Sequence, residues 1–454
     1  AALPFPLTLL ALSLILSGRS VRHAAALWLP IVAYLVILEP RTACDTLTGL
    51  YWLALGPGVG WFFGVGLGLF LRNTLTARRG HYGGWVAGAS LVLLSCLATA
   101  ARLYMHPQMR VLDPFFGTWH GPIYEEYVPL DQTTVVYRVA VFGLAAALWL
   151  CANPGPLRQR PLMLIAVLLS GFYSIYPSHH LMDREDLGRV LSQSVYKDGV
   201  TVRFSTKTGR SRALRLLEQG LFERDSVAVR VGAPPDAKVT IWWYPSAGVK
   251  RQLIGAGGVL IARPWQNEIH LNQGVIPDPY LRHEMVHVIA GQTVDNLFRV
   301  PLAGLLPSSA LIEGYAVLHG PHDQALSLHG SAAALLARRQ LPSAQALFSG
   351  AFLFGHGRRT YRAAGSLLRF IEARHGAEVL RRAYSSGKLE GIDLAQIDQE
   401  WRAMLAKRPA EPDARRVMLR HYAGRPAALR PCPVAVQAAW RKAQSKRLDN
   451  DEDR

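Results

Sequence analysis

Six long apolar runs occupy roughly the first 177 residues of this 454-residue chain, and they constrain its fold more than any other feature. A helix needs about 20 apolar residues to cross the hydrocarbon core of a membrane, and the first, second and last runs are marginal at about 15. Short loops that carry arginine separate the runs. We therefore predict a membrane α-helical bundle of about six transmembrane helices over residues 1–177. The runs are Leu3–Ser17, Ala24–Leu38, Leu47–Leu71, Gly84–Ala101, Thr134–Ala152 and Leu162–Tyr176.

The charges of the loops predict how the bundle is oriented. Loops on one side carry arginine without acidic residues, whereas the loops around residues 39–48 and 102–133 mix acids with bases. The positive-inside rule places the first set in the cytoplasm. We therefore expect a multi-pass integral membrane protein, with the lipid bilayer as a partner and everything after Tyr176 extracytoplasmic. This orientation depends on six spans, because the loss of one would invert it. The arginines are Arg19, Arg22, Arg72, Arg78, Arg79, Arg158 and Arg160.

The string His283-Glu284-Met285-Val286-His287 carries the most specific chemical signal in the chain. Two histidines four apart on a helix lie on one face, one turn apart. Both imidazoles can therefore reach one zinc ion at the ~2.0–2.1 Å that zinc–nitrogen bonds require. Glu284 projects from the edge of that face, where it can take a proton from water at an open position of the metal.

Glu313 is the candidate third ligand. It lies 26 residues beyond His287, which leaves room for a loop and a second helix packed against the first. Ser308 or Ser309 can cap this second helix. Its neighbours Leu311 and Ile312 are apolar, so an unpartnered carboxylate would be costly there.

The cysteines argue against a structural zinc site. Structural sites use four protein ligands, often several of them cysteines, whereas catalytic sites use three and leave a place for water. Cys44, Cys96, Cys151 and Cys432 are scattered, and none of them neighbours the histidine pair. The set His283, His287 and Glu313 therefore predicts a catalytic Zn2+ site.

The pattern His283-Glu284-x-x-His287 followed by Glu313-Gly314-x-Ala316 resembles the gluzincin metallopeptidases, which include thermolysin and the aminopeptidase N-like enzymes. The resemblance covers roughly residues 196–385. It implies an extracytoplasmic α+β zincin-like domain at residues 178–410 that hydrolyses a peptide or protein substrate. In that family the residue that Glu284 matches acts as general base.

The order of secondary structure before the histidines is similar to the β-rich lobe of gluzincins, whose edge strand holds an extended substrate. Residues 257–261 and 269–271 are the candidates for that edge. Hydrophobic alternation predicts strands at residues 200–205, 238–244 and 268–271 and a helix at 211–222. Asp278 and Pro279 suit the start of the helix that carries the histidines, and Gly291 can supply a left-handed residue at its end.

Two departures from the family pattern affect the expected activity. Aminopeptidase N-like enzymes have a glutamate before the metal helix that grips the free amine of the substrate, and residues 257–261 contain no acid. An endopeptidase is therefore the better expectation. The Asp of thermolysin-like enzymes, four residues beyond the third ligand, is replaced here by Val317, so support for the ligands must come from elsewhere.

The group that stabilises the oxyanion is the least specified part of the site. Gluzincins supply a tyrosine or histidine donor from beyond the third ligand. Tyr361 and His356 are the nearest candidates, and they follow or lie within a glycine-rich turn. Position in the sequence alone supports both residues.

Two other functions remain compatible with this sequence. One is a membrane-anchored binding module whose zinc is only structural, and the other is a zinc hydrolase that acts on a non-peptide amide. The net charge of +18 does not indicate a nucleic-acid partner, because no nucleic-acid-binding signature accompanies it. We expect residues 411–454 to form a basic C-terminal helix or tail suited to anionic headgroups. The oligomeric state is not specified by any of these features.

Overall fold

The computed structural model describes two compact units. The first comprises residues 1–186, 251–257 and 431–454, and the second comprises residues 187–250 and 258–430. The described residues are mostly helical, with a mixed sheet in the second unit. They are residues 4–29, 46–76, 81–120, 132–152, 182–320, 326–355, 357–409, 411 and 414.

The described part of the first unit is built from helices and one small hairpin. Two π-helical turns, Ala54–Gly58 and Arg72–Thr76, flank α4. The helices are α1 (Pro4–Leu16), α2 (Val21–Ala25), α3 (Thr46–Leu53), α4 (Val59–Leu71), α5 (His81–Met105) and α6 (Gln132–Ala152), and the hairpin strands are β1 (Arg110–Asp113) and β2 (Gly117–His120).

Three stretches of helix in the described residues are long and apolar enough to cross a membrane, namely Leu50–Leu75, Tyr82–Met105 and Gln132–Ala152. They coincide with the third, fourth and fifth apolar runs of the sequence. The first run is helical as α1, which is shorter than a span. The last run and most of the second lie outside the described residues, so the described part of the chain supports three of the six expected spans.

Glycines on α4 allow its neighbours to approach very closely. A Cβ added to Gly64 would overlap the carbonyl oxygen of Thr8 in α1. On the other side of the helix, a Cβ on Gly66 would lie 2.5 Å from the carbonyl oxygen of Ala145 in α6. Small residues at such crossings are typical of membrane helices, whose association depends on close packing.

Arg138 is a buried cation within the apolar helix α6. Its Nε donates to the carbonyl oxygen of Leu55 at 2.5 Å, and its Nη2 donates to that of Gly56 at 2.7 Å. Both carbonyls belong to the π-helical turn that contains Pro57. Backbone polar groups in an apolar environment need such internal partners, so Arg138 stabilises an irregular turn within a candidate span.

A five-stranded mixed sheet organises the second unit in the order β3-β4-β5-β7-β6. Strands β4, β5 and β7 run parallel, whereas β3 and β6 are antiparallel strands at the two edges. The strands are β3 (Gln193–Lys197), β4 (Val200–Phe204), β5 (Val239–Tyr244), β6 (Ile261–Arg263) and β7 (Glu268–Asn272). Short strands β8 (Leu302–Ala303) and β9 (Leu306–Pro307) form a separate hairpin.

Helices surround this sheet and supply most of the core. The helix α8 (Arg210–Val231) packs against β3 and β4 and against α10 (Leu281–Gly291), which itself contacts β6 and β7. The helix α11 (Ser309–His319) packs against α10 and α15 (Gly357–His375). The remaining helices are α7 (Arg184–Val190), α9 (Ala247–Ile254), α12 (Leu328–Ala337), α13 (Ala344–Leu347), α14 (Ala351–Phe354), α16 (Ala377–Ser386) and α17 (Leu394–Ala406).

The three expected strands are present, each within one residue at either end. The helix expected at 211–222 is longer, because its amphipathic pattern continues until Gly232 ends it in the left-handed region at φ 71°. The expected edge strand at 257–261 was placed too early. The observed edge, β6, begins at Ile261, and residues 269–271 lie in β7, one strand inside the edge.

The packing of α4 generates a first prediction. Gly64→Ala should destabilise the full chain by about 1–3 kcal/mol, because the added methyl group meets backbone and not a movable side chain. Gly88→Ala is the matched control, since a Cβ there would meet only side-chain carbons of leucines, the nearest at 3.3 Å. Thermal unfolding in detergent measures both variants. Equal melting temperatures for the two would contradict the close approach.

Candidate metal site

The helix α10 carries the histidine pair and is held by its apolar stripe. Leu281, Met285, Val288 and Ile289, which share one face of the helix by their spacing, are fully buried against the core. This leaves the opposite face, with His283 and His287, directed away from that core. The helical spacing brings the two imidazole Nε2 atoms to 3.3 Å from each other.

The N-terminal end of α10 is fixed to α8 by polar contacts. Gln219 donates to the carbonyl oxygen of Asp278 at 2.8 Å and accepts from the Asp278 N–H at 2.7 Å. One turn further on, Arg282 pairs with Glu223 at 2.5 Å. The register of the histidine helix against the sheet is therefore set before the first ligand is reached.

The ends of α10 differ in detail from the sequence expectation. The helix begins at Leu281, two residues later than Pro279, and the Asp278 carboxylate accepts the N–H of Tyr280 in the turn before it. Gly291 is the last helical residue and not a left-handed one. It is required for a different reason, because a Cβ there would lie 2.6 Å from the ring of Pro264 and 2.7 Å from the carbonyl oxygen of Arg299.

The second helix, α11, presents Glu313 to the histidines. Ser308 precedes its first turn, although its hydroxyl makes no capping hydrogen bond. Next to the glutamate, Gly314 allows α15 to come close, since a Cβ there would lie 2.9 Å from that of Ala364. The same approach brings Tyr361, one turn earlier on α15, to the carboxylate of Glu313.

Three side chains converge on one point. The Oε2 atom of Glu313 lies 3.4 Å from Nε2 of His283 and 3.6 Å from Nε2 of His287. Among the described residues, His283, His287 and Glu313 form the group whose possible ligand atoms lie close enough together to hold one metal ion. About a fifth of the His283 and Glu313 side chains is exposed, so the group is open to solvent on one side.

The spacing of these donor atoms fits zinc. Three ligands at the ~2.0–2.1 Å typical of zinc, in tetrahedral directions, have their donor atoms roughly 3.3–3.4 Å apart. The observed separations of 3.3, 3.4 and 3.6 Å match this edge length. Two imidazole nitrogens and one carboxylate oxygen are also a donor set that zinc accepts, and three protein ligands leave a fourth position open.

The charge states of the three groups suit a cation. Burial lowers the pKa of His287 to about 4, so this imidazole is neutral near neutral pH. Burial alone would raise the pKa of Glu313, but the two histidines and the Tyr361 hydroxyl hold it below its ordinary value. For His283, burial is outweighed by Glu313 and Glu284, and the pKa is raised. These two shifts favour a charged His283 imidazole beside a charged Glu313 carboxylate, so the carboxylate has a cationic partner even without a metal.

Glu284 is buried beside the histidines and is not one of the three converging groups. Burial raises the pKa of its carboxyl to about 7, while the nearby charges of His283 and Lys250 oppose the increase. A carboxyl with such a pKa can both accept and return a proton near neutral pH. This is the property that general acid–base work requires.

Two tyrosines interact with Glu313, one through a hydrogen bond and one through its charge, and the sequence did not indicate the second. The Tyr361 hydroxyl donates to the Glu313 carboxylate. Tyr384, on α16, is fully buried, and its hydroxyl has no hydrogen-bond partner among the described residues. Burial, with smaller contributions from Tyr315 and Glu313, raises its pKa. Tyr384 is 71 residues beyond Glu313, and no local pattern marks it. The other oxyanion candidate, His356, lies outside the described residues.

No protein-family model matches the chain. No curated protein matches it either.

A second group of polar side chains is buried against the sheet near its edge. The Tyr244 hydroxyl and Nδ1 of His270 are hydrogen-bonded at 2.9 Å, and Nε2 of the same histidine lies 3.8 Å from Oε2 of Glu268. The ammonium group of Lys250 donates to the carbonyl oxygens of Val259 and His270, the latter at 3.1 Å. This lysine therefore ties the chain before β6 to β7.

The His270 imidazole predicts a dependence of stability on pH. Burial lowers its folded-state pKa from 6.5 to about 4, so between these values the unfolded chain binds a proton that the folded chain excludes. This difference should cost roughly 3 kcal/mol as the pH falls from 6.5 to 4, with no effect above 6.5. His270→Gln should reduce the drop in melting temperature between about pH 7 and about pH 5. An unchanged drop would show that His270 titrates normally.

Proposed function

We propose that this protein is a membrane-anchored, zinc-dependent endopeptidase. The observation that supports this proposal best is the convergence of two imidazoles and a carboxylate at zinc-like separations, with the buried carboxyl of Glu284 beside them. A site that only stabilised the fold would not need a base with a pKa of about 7 next to the ligands.

The residues divide into ligands and a proton carrier. His283, His287 and Glu313 would hold the ion, which when bound supplies Lewis acidity towards the substrate carbonyl and lowers the pKa of water. Glu284 takes the proton of the attacking water. It then delivers that proton to the amine that leaves when the peptide bond breaks.

The sheet offers a place for an extended substrate. Among the described residues β6 is an edge strand of the sheet, antiparallel to β7. An edge strand can accept a peptide as an additional strand through backbone hydrogen bonds. An edge strand followed along the chain by two ligand helices is the order expected of an α+β zincin-like domain, and this order supports the assignment.

The lack of an acid within β6 and the turn before it favours internal cleavage. Residues 257–263, from the turn before β6 to its end, contain no aspartate or glutamate that could bind the free amine of a peptide. Arg263, at the end of β6, has the wrong charge for that task. An endopeptidase does not need such a group, because its substrate continues on both sides of the cleaved bond.

The location of the site is part of the proposal. Three helices among the described residues are long and apolar enough to span a bilayer, which supports a multi-pass membrane protein. With six spans, the positive-inside rule places the second unit outside the cytoplasm. The substrate would then be an extracytoplasmic peptide or protein.

A variant that changes the proposed base but keeps the three ligands tests the proposed mechanism. Glu284→Gln keeps the shape of the side chain and removes its ability to accept a proton, so we expect a full zinc content and loss of peptide hydrolysis. Glu218→Gln, on the exposed face of α8, is the matched control and should retain both. The measurements are elemental analysis and the cleavage of a diverse peptide mixture with and without a chelator.

The ligand variants complete this test. Glu313→Ala and His287→Ala should lose zinc, because the two remaining ligands hold it poorly. Hydrolysis by Glu284→Gln at the parental rate would refute the mechanism. A zinc-loaded parent that cleaves no peptide would instead support a binding module, and chelator-sensitive cleavage of other amides alone would indicate a non-peptide hydrolase.

Tyr361→Phe distinguishes two roles for this tyrosine. The hydroxyl is engaged with Glu313, so its loss should weaken zinc binding by roughly 10–100-fold, as loss of a group that orients a ligand typically does. An oxyanion donor would instead lower kcat by roughly 10²–10³-fold at unchanged zinc affinity. Competition with a chelator measures the affinity, and kcat is determined at saturating zinc. Tyr196→Phe is the control, because the Tyr196 side chain, on β3, is 70% exposed.

A further inference from the structure

The hairpin between the two ligand helices ends in an exposed apolar tip. All five residues from Ala303 to Pro307 are exposed, and none has a polar side chain. Leu305 is 97% exposed and Leu306 is 70% exposed, which makes Leu305 the most exposed large apolar side chain among the described residues. A run of consecutive exposed apolar residues on a water-facing surface usually has a function.

The base of this hairpin is well fixed. β8 and β9 pair at Leu302 with Pro307, and the Ser308 N–H donates to the carbonyl oxygen of Pro301 at 2.9 Å. The backbone of Leu302 is packed tightly against Gly387 at the end of α16. The leucines are therefore held out from the domain on a supported turn, with Gly304 at φ 70°.

The shape and chemistry of the tip favour lipid as its occupant. The tip is convex and offers two leucine side chains, whereas a bound peptide or a second copy needs a wide complementary surface of about 800 Å² per partner. The neighbouring charge at its base, Arg299, donates to Oδ1 of Asn267 and is directed to the sheet. Leucine partitions favourably into the hydrocarbon region of a membrane. Three candidate membrane spans in the same chain make a bilayer the apolar phase available to the tip.

We propose that the Ala303–Pro307 tip inserts into the surface of the bilayer. Leu305 precedes Glu313 by eight residues, so the chain keeps this ligand within about 27 Å of the inserted leucine. The metal site is therefore held near the membrane surface. If the proposed peptidase activity is correct, the favoured substrates are protein segments close to the bilayer.

Fluorescence quenching by lipid tests insertion without using the activity. Leu305→Cys in a background that lacks the four native cysteines is labelled with an environment-sensitive dye, and the full chain is reconstituted into phosphatidylcholine vesicles. We expect blue-shifted emission and strong quenching by a spin label near the headgroup end of the acyl chain. The matched control is Val229→Cys, which is 79% exposed on α8 and should show neither effect.

Two results would contradict insertion of the tip into the bilayer. If the dye at position 305 is as accessible to iodide and as insensitive to spin-labelled lipid as the dye at position 229, the tip does not insert. A blue shift without quenching by lipid would indicate a protein contact and would also overturn the proposal.

The substrate preference has a separate test. One peptide is compared in a soluble form and in a form anchored to the vesicle by an acyl chain. The double variant Leu305→Ser, Leu306→Ser should lower the ratio of anchored to soluble cleavage, and Val229→Ser should leave it unchanged. An unchanged ratio in the double variant would refute the preference. If the parent cleaves neither form, the proposed peptidase function fails, and the fluorescence result still decides insertion.

Discussion

The contact of the Glu313 carboxylate with two imidazoles and a tyrosine hydroxyl joins the three helices of the candidate metal site. A carboxylate that has lost most of its water is costly without partners, and here α10 supplies the histidines and α15 supplies Tyr361. The close approach at Gly314 makes this possible, because a larger residue would separate α11 from α15. The same three helices therefore form both the core of the unit and the candidate metal site.

The parts of this arrangement that depend on local periodicity could be predicted from sequence. The spacing of His283 and His287 places both on one helical face, and the buried stripe of α10 follows from the same period. Strands β4, β5 and β7 could be predicted because their residues alternate or are continuously apolar. What could not be predicted depends on contacts between distant segments. The need for Gly291 comes from Pro264 and Arg299, and the charge of Glu313 acts on Tyr384, 71 residues further along the chain.

In the first unit, which carries the candidate spans, some features again follow from local sequence and others from contacts between distant segments. Hydropathy identifies helices that are long enough to span, and three of them are present among the described residues. It does not reveal how they pack. The spacing of Gly64 and Gly66 matters only because α1 and α6 lie on opposite sides of α4. Arg138 would be read as an unfavourable charge in an apolar run, yet its guanidinium satisfies two carbonyl groups of a π-helical turn. Its role depends on a partner more than 80 residues earlier in the chain.

The sheet and the proposed base are linked through a buried cation. Lys250 holds the chain before β6 against β7 through two carbonyl groups, and its charge also opposes the rise in the pKa of Glu284 that burial causes. A carboxyl buried without such a cation would stay protonated to higher pH and could not accept a proton at neutrality. A metal ion at the neighbouring ligands would lower this pKa further, because it adds positive charge next to the carboxyl. Lys250, which ties the chain before β6 to β7, therefore also helps to keep Glu284 ionised, as the proposed role of a general base requires.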